Sequence, residues 1–229
     1  IVRSNAWQFR QILAQGVHGI LLCQAESADA VRAFVESCRY PHQPAGVDPD
    51  LPSPIQRMHG APPKAAGRDS DGRRRLGVGT RGRGSENTVA AVWGIPPAEV
   101  LERADVWPLN PAGELLLGVK IESPEGVANC DEILAVPGLG FAEIGPGDLG
   151  LSLGYTSLRV NPYPPEMKQA RDRIMAACRR NGLAFLELCT PENIAARIDE
   201  GVRIVAGHSE ETARIGRAHQ RRLSERKES

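Results

Sequence analysis

Short apolar runs alternate with longer segments of helical periodicity along most of the chain. Six runs have the length and the β-branched or leucine-rich composition of buried strands: "IVR" (1–3), "GILLC" (19–23), "ELLLGVKIE" (114–122), "FAEI" (141–144), "LAFLEL" (183–188) and "VRIVAG" (202–207). Parallel strands covered by helices are near-continuous hydrophobic runs. The pattern therefore predicts six parallel strands that are joined by helical crossovers.

The intervening segments repeat apolar residues at three- and four-residue spacing, which is typical of amphipathic helices. Helices are predicted over about 6–15, 27–40, 165–182 and 190–201, and after residue 207 to the end of the chain. Ser27 and Thr190 are placed as N-caps of two of these helices. Alternating strands and helices suit either an open doubly wound sheet or part of an eight-stranded β/α barrel.

Residues 42–80 break this alternation. The segment is rich in Pro, Gly, Arg and Ala and has almost no hydrophobic periodicity. Structureless loops of this length are unusual inside compact domains. We therefore expect a single domain over residues 1–229 with a disordered insertion, or a gene-model artefact, at 42–80.

Composition and motif content exclude several functional classes. The chain has 28 basic and 28 acidic residues, so it lacks the positive surplus of a nucleic-acid-binding protein. No apolar run reaches the about 18 residues that a membrane span needs. A dinucleotide-binding sheet would carry its glycine motif after the first strand. The glycine-rich "GVGTRGRGS" (77–85) follows no strand and precedes no apolar helix.

The five cysteines are scattered without metal-binding or redox spacing. An odd, scattered set of this kind is typical of reduced and mostly buried thiols. Together with the absence of a signal-peptide pattern, it predicts a cytoplasmic protein.

Two carboxylates follow predicted strands at comparable places. Glu122 closes the run "LLLGVKIE", and Asp148 follows "FAEI" and a Gly-Pro turn. In a β/α barrel the carboxyl ends of the strands form the active face, and neighbouring strands lie about 4.8 Å apart. Two such carboxylates could share a hard divalent cation. The alternatives are that Glu122 caps the helix that begins at Ser123 and that Asp148 caps a turn.

A long ordered set of motifs carries a family resemblance. The stretch "VKIESPEGVANCDEILAVPGLGFAEIGPGDLGLSLGY" (119–155) resembles the metal-dependent pyruvate aldolases of the HpcH/HpaI aldolase/citrate lyase family. "GVHGILLCQAESADAVRAFVESCRYP" and "RGRGS" are similar to further motifs of that family. "ADVWPLNPAGELLLGVKIE" and "PYPPEMKQAR" resemble its fungal macrophomate-synthase-like branch. The resemblance covers nearly all of the chain outside 42–80.

The resemblance implies a role for individual residues. Glu122 and Asp148 would hold the metal, Mg²⁺ or else Mn²⁺ or Co²⁺, and Arg81 would be the catalytic residue that binds the carboxylate or keto oxygen of a pyruvate-like substrate. The backbone N–H groups of Gly147 and Asp148 would meet the substrate carboxylate. Lys120 stands where bacterial relatives commonly have Gln. A cation beside the metal would be repelled, so the resemblance implies that Lys120 faces the substrate or a further acid. None of the five histidines matches the family's upstream general base, and His18 is interpreted as structural.

The function implied by the resemblance is a carbon–carbon lyase that acts on 2-oxo acids through a pyruvate enolate. Retro-aldol cleavage, oxaloacetate decarboxylation and macrophomate-synthase-like addition of the enolate all fit this chemistry. A second hypothesis is a catalytically inactive fragment or pseudoenzyme that keeps only the fold and an oligomerisation surface. A third, an acyl-CoA enzyme like citrate lyase, would need a basic surface that the sequence does not identify.

The family barrel has eight strands, whereas six are predicted here, beginning at the third. Together with the first residue, Ile1, this predicts an N-terminally truncated (β/α)8 TIM barrel of the phosphoenolpyruvate/pyruvate type. Such a chain would be unstable or inactive alone because its sheet would have two open edges. The resemblance also implies a homo-oligomer in which the C-terminal helix is exchanged between subunits. The alternative is that this helix is a solvated surface helix with a frayed, charged tail.

Overall fold

The computed structural model describes residues 6–156, 162–207 and 209–228. Its strands form one parallel sheet in the order β1-β3-β4-β5-β6, and β2 pairs with the start of β3. The strands are β1 (Gly19–Leu22), β2 (Val106–Trp107), β3 (Leu115–Ile121), β4 (Phe141–Ile144), β5 (Ala184–Cys189) and β6 (Ile204–Gly207). The molecule is therefore an α/β protein built as a parallel-stranded half-barrel.

Eleven helices are assigned in the described part of the chain. They are α1 (Ala6–Leu13), α2 (Ala28–Cys38), α3 (Pro54–Met58), α4 (Glu86–Trp93), α5 (Pro97–Arg103), α6 (Pro124–Ala128), α7 (Cys130–Leu134), α8 (Pro146–Ser152), α9 (Pro165–Arg180), α10 (Ile194–Glu200) and α11 (Glu210–Glu228). Local sequence explains the start of α2, because the Ser27 side chain accepts a hydrogen bond from the Ala30 N–H (3.3 Å). No helix of the described residues combines the length and apolar composition needed to cross a membrane.

The alternation of side chains along β3 separates a core face from a site face. Leu117, Val119 and Ile121 are fully buried and belong to the main core, which helices α2, α7 and α9 complete. Gly118 and Lys120 project to the opposite, concave face. On that face the Phe141 ring lies directly over Gly118, where any Cβ would collide with it. The sequence thus directs Leu117, Val119 and Ile121 towards the helices and Lys120 to the concave face.

Five of the six predicted strands are confirmed as β1, β3, β4, β5 and β6. The sixth, "IVR", lies outside the described residues. The observed sixth strand, β2, was not predicted because its two residues are too short to form a hydrophobic run. The half-barrel agrees with the expected β/α architecture, whereas truncation of a full TIM barrel stays a prediction.

The Gly-Pro turn predicted before Asp148 is wrong in form, since residues 146–152 are the short helix α8. Pro146 occupies the first helical position. The N–H that proline lacks would make no helical hydrogen bond there. Leu149 is buried, and this contact with the core offsets the low helix propensity of the glycines.

Residues 42–80 follow a defined path that the sequence did not predict. Leu76 is fully buried in the main core. Asp48, also buried, accepts hydrogen bonds from the N–H groups of Asp50 (2.9 Å) and Gly67 (2.5 Å). Short bridges join Val47 to Leu76 and residue 68 to residue 74. A few buried anchors, rather than periodic apolar residues, therefore fix the course of this segment.

The structure also shows the surroundings of the cysteines and of the C-terminal helix. Four cysteines are buried and only Cys23 is exposed among the five, all of which are free thiols. Helix α11 packs on α10 and β6 of its own chain, and Gly216 brings it close to Ile194. Exchange of this helix between subunits stays a prediction.

Candidate metal centre

Glu122 lies at the carboxyl end of β3 and is 3% exposed. Its Oε1 accepts a hydrogen bond from the backbone N–H of Gln24 (2.8 Å), just beyond the end of β1. Its Oε2 is buried without a hydrogen-bond partner among the described residues. The Nζ atom of Lys120 lies 3.7 Å from Oε2. One oxygen is therefore anchored, and the other is free to bind a ligand.

The local sequence explains why the carboxylate of Glu122 is available. Ser123 is the N-cap of α6, and its side chain accepts a hydrogen bond from the Gly126 N–H (3.1 Å). The alternative that Glu122 caps this helix is therefore wrong. Because the serine takes the capping role, the preceding glutamate can point to the concave face.

Asp148 brings a second carboxylate to Glu122. It is exposed in the first turn of α8, which follows the neighbouring strand β4. Burial raises the pKa of Glu122, and the negative charge of Asp148 adds to this rise, while the Gln24 N–H and Lys120 oppose it. The two predicted metal ligands are thus close enough for the charge of one to affect the pKa of the other.

Gly145 allows this close approach. Its N–H donates a hydrogen bond to the Ile121 carbonyl (3.0 Å), which ties the end of β4 to the end of β3. A Cβ at this position would collide with the Cβ and Oε2 of Glu122. Glycine is therefore required by contact with the carboxylate, although its backbone conformation is ordinary.

The pair fits a hard divalent cation by its donor chemistry. A buried, unpartnered carboxylate oxygen beside a second carboxylate is the arrangement that a bound cation would satisfy. Within the described ranges no group of three or more His, Cys, Asp or Glu side chains could hold a metal. Substrate oxygens and water would have to supply the other ligands, as they commonly do for Mg²⁺.

The backbone next to Asp148 is open to a small ligand. The first hydrogen bond of α8 runs from the Leu149 N–H to the Gly145 carbonyl (3.0 Å), so the N–H groups of Gly147 and Asp148 precede the helical ladder. A Cβ on Gly147 would meet nothing within 4 Å. The predicted contact of these N–H groups with a substrate carboxylate therefore has room.

Two further side chains of this site were missed by the sequence interpretation. Glu143 pairs in register with Lys120 across β3 and β4 and is half-buried. Burial raises the pKa of Glu143, with Glu122 adding to the rise and Lys120 opposing it. Cys23, at the end of β1, has its pKa raised by partial burial and by Glu122. The two-residue periodicity of the strands could have placed Glu143 beside Lys120 once their register was known.

The structure does not bring Arg81 to this pair. Helix α2 begins beside the carboxyl end of β1 and runs back towards the amino ends of the strands. The end of α2 lies close to the start of β4. A Cβ added to Gly138, just before β4, would lie 2.8 Å from Cγ1 of Val35 in α2. The Arg81 N–H donates to the Arg39 carbonyl (2.8 Å), at the end of α2. The predicted catalytic and substrate-binding role of Arg81 has no support in this position.

Arg81 instead belongs to a buried cluster at the end of α2. Its guanidinium lies over the Tyr40 ring, 4.7 Å from the centroid, and only 3% of the residue is exposed. Burial lowers the pKa of Arg81. The arginine was assigned from its "RGRGS" motif, which identifies the residue but not the side of the sheet to which the chain returns.

His18, His42 and His219 contact other parts of the structure. His18 stacks on Trp93 with ring centroids 4.4 Å apart, in agreement with a structural role. A ring nitrogen of His42 lies 3.2 Å from the Leu101 carbonyl oxygen, and one of His219 lies 2.7 Å from an Asp199 carboxylate oxygen. The recorded partners of these three histidines are therefore groups other than the carboxylates of Glu122 and Asp148.

Sequence comparison gives matches over most of the chain. The family model described as HpcH/HpaI aldolase/citrate lyase matches residues 2–212. A hydroxypyruvate/pyruvate aldolase of Pseudomonas aeruginosa is 29% identical over 206 residues, which are 90% of this chain and 60% of that protein. A 4-hydroxy-2-oxo-heptane-1,7-dioate aldolase of Escherichia coli is 28% identical over 200 residues, or 87% of this chain and 59% of that protein.

Solved structures share the fold. A protein of the same family from Burkholderia cenocepacia J2315 superposes with a TM-score of 0.61 at 21% identity, over 97% of this chain and 70% of the other. Macrophomate synthase superposes with a TM-score of 0.57 at 20% identity, over 100% of this chain and 66% of the other. The chain thus spans about three-fifths of the length of the curated relatives it matches.

Proposed function

The chain belongs to the HpcH/HpaI aldolase/citrate lyase family, and from this premise we propose that it is a divalent-metal-dependent carbon–carbon lyase. Its substrates are 2-oxo acids, which are cleaved or formed through a pyruvate enolate. Retro-aldol cleavage of 4-hydroxy-2-oxo acids and decarboxylation of oxaloacetate are the proposed reactions. The names of two relatives, a hydroxypyruvate/pyruvate aldolase and a 4-hydroxy-2-oxo-heptane-1,7-dioate aldolase, support this substrate class.

One observation carries the proposal. The Oε2 atom of Glu122 is buried and unpartnered, and Asp148 adds its charge beside it at the carboxyl edge of two parallel strands. A buried carboxylate oxygen that accepts no hydrogen bond is costly unless a ligand compensates it. The carboxyl edge is also where β/α barrels place their chemistry. A binding role explains why the fold keeps this arrangement.

The chain's own residues divide the work. Glu122 and Asp148 would hold the cation, with Mg²⁺ or else Mn²⁺ or Co²⁺ as candidates. The Gln24 N–H fixes the orientation of the Glu122 carboxylate. The N–H groups of Gly147 and Asp148 would bind the substrate carboxylate. The bound cation would polarise the ketone and stabilise negative charge on its oxygen.

The experiment is a coupled assay of pyruvate release. The chain is incubated with oxaloacetate, and separately with a 4-hydroxy-2-oxo acid, with and without Mg²⁺ or Mn²⁺. Metal-dependent turnover is expected, and Glu122→Gln or Asp148→Asn should lower it at least about 100-fold because each removes a charged ligand. Turnover of the unchanged chain no faster than with free metal would overturn the proposal.

Asp172→Asn is a matched control. Asp172 forms an exposed ion pair with Lys168 in α9 (2.5 Å). Its loss removes the same charge as Asp148→Asn but leaves the site intact, so activity should not change. Equal losses in both variants would show that the assay reports general charge or stability rather than the site.

A second candidate function is a catalytically inactive chain that retains the fold. The position of Arg81, at the end of the strands away from the carboxylate pair, favours it. The two candidates differ in one measurement: the inactive chain would bind Mn²⁺ at Glu122 without accelerating pyruvate release.

A further inference from the structure

Lys120 and Glu143 form a cross-strand pair on the concave face. They are Cα partners in the register of β3 and β4, and neighbouring strands lie about 4.8 Å apart. Lys120 and Glu122 share a face of the chain because they are two residues apart. One flexible ammonium group is therefore flanked by two glutamates that belong to different strands.

In this structure the lysine is on the side of Glu122. Its Nζ lies 3.7 Å from Oε2, the same oxygen that has no hydrogen-bond partner. A divalent cation bound by Oε2 would meet this ammonium at short range. Two cations that share one oxygen repel strongly in a partly buried site. The lysine must therefore move away for Glu122 to bind a metal well.

Glu143 provides the place to which the ammonium can move. It is half-buried, it interacts electrostatically with Lys120, and no donor among the described residues hydrogen-bonds to its carboxylate. The four-carbon stem of lysine allows a change of partner without a change of backbone. This role explains why Glu143, which accepts no hydrogen bond from the described residues, lies next to Glu122.

We propose that Lys120 is an exchangeable counter-ion that pairs with Glu122 in the metal-free site and with Glu143 when a divalent cation binds. Glu143 is then a positioning residue, since it acts on the metal through the lysine. This inference rests on the proposed function, because it needs Glu122 to be a metal ligand. It adds an internal competitor that sets how tightly this chain holds its cation.

The test is a double-mutant cycle on Mn²⁺ affinity, measured by calorimetric titration at constant pH and ionic strength. The variants are Lys120→Gln, Glu143→Gln and the double substitution, all close in shape to the original side chains. Lys120→Gln should tighten Mn²⁺ binding about tenfold because the competitor is gone. Glu143→Gln should weaken it about tenfold while the lysine is present, and less than about threefold in the Lys120→Gln background.

Non-additivity is the result that supports exchange. Equal effects of Glu143→Gln in both backgrounds would overturn it, because Glu143 would then act on the metal directly through space. Weaker Mn²⁺ binding in Lys120→Gln would also overturn it, since the lysine would be supporting the site. If a glutamine variant fails to fold, Lys120→Met and Glu143→Met complete the cycle.

A distant control and a second readout separate the possible failures. Lys168→Gln removes an exposed lysine of α9 and should leave Mn²⁺ affinity unchanged. If the unchanged chain binds no Mn²⁺, or if Glu122→Gln does not reduce binding, the proposed function fails and the inference fails with it. If Mn²⁺ binds through Glu122 but the cycle is additive, only the inference fails. The shift of the thermal midpoint by Mn²⁺ should follow the same order as the affinities.

Discussion

Two buried carboxylates at opposite ends of β3 have opposite environments. Asp105, before the amino end, is 0% exposed and has all of its acceptors filled. Arg39 donates to both oxygens (2.6 and 3.0 Å), and the Val106 N–H and the Asn110 side chain each donate one more bond. Glu122, beyond the carboxyl end, is 3% exposed and has one oxygen bonded and the other without a donor.

The difference separates a carboxylate whose oxygens are all used within the fold from one that keeps an oxygen without a hydrogen-bond donor. A bidentate arginine fixes Asp105 and ties the end of α2 to the entry of the sheet. Glu122 keeps an unsatisfied oxygen, which makes it less favourable for folding and more favourable for a ligand. The amino side of the sheet thus contributes stability, and the carboxyl side retains binding capacity.

The largest expected effect is on the structural side of this contrast. Asp105→Ala leaves the Arg39 guanidinium buried and unpaired, so the free energy of unfolding should fall by about 3–5 kcal/mol. Urea denaturation followed by circular dichroism measures it. Asp29→Ala is the matched control, because the Asp29 carboxylate is exposed to solvent and its ion pairs with Arg32 and Arg74 should contribute at most about 1 kcal/mol. Similar losses in the two variants would remove the distinction.

An intermediate effect is expected where β4 meets the free carboxylate. Gly145→Ala places a methyl group against Glu122, so it should lower the free energy of unfolding by about 1–3 kcal/mol and displace the carboxylate. Metal-dependent turnover should fall with it.

Gly147→Ala is the control for the stability and turnover of Gly145→Ala. Its methyl group would enter open space, so the unfolding free energy should stay within about 0.5 kcal/mol, while KM should rise if substrate lies against this backbone. A stable, fully active Gly145→Ala protein would contradict the close approach of the two strands.

Only a small change in stability is expected at Glu122 itself. Glu122→Gln removes a carboxylate that burial and Asp148 disfavour in its charged form. The metal-free protein should therefore change by less than about 1 kcal/mol, or become more stable. Stabilisation by added Mn²⁺ should disappear, which thermal unfolding with and without the metal detects. A loss comparable with that of Asp105→Ala would mean that Glu122 is structural too.

The main elements of the fold could be predicted because their signals are local. The runs that form β1, β3, β4, β5 and β6 and the amphipathic segments of α2, α9 and α11 are visible in the sequence. Helices α4 and α5 were not predicted, although α1 and α10, which are of similar length, were. The path of 42–80 depends on Leu76 and Asp48, whose partners lie far along the chain.

The proximity of Glu122 and Asp148 was predictable, because both follow strands and parallel strands end at one edge. Their role as metal ligands stays a prediction. The anchoring of Glu122 by Gln24 joins residues 98 positions apart, and no local pattern encodes it. Arg81 was placed by motif, but the chain between α2 and β3 returns along the other end of the sheet. Fold periodicity cannot determine such a return.

The exposed thiol of Cys23 gives this site a built-in reporter. It is the one exposed cysteine of the five. After burial, the charges of Glu122 and Asp148 raise the pKa of its thiol, and the charge of Lys120 lowers it. A nitroxide or fluorophore attached there needs no engineered cysteine, and the four buried thiols would react far more slowly. A paramagnetic ion held by the carboxylates would broaden or quench that label. Occupancy of the centre could then be followed spectroscopically in the unaltered sequence.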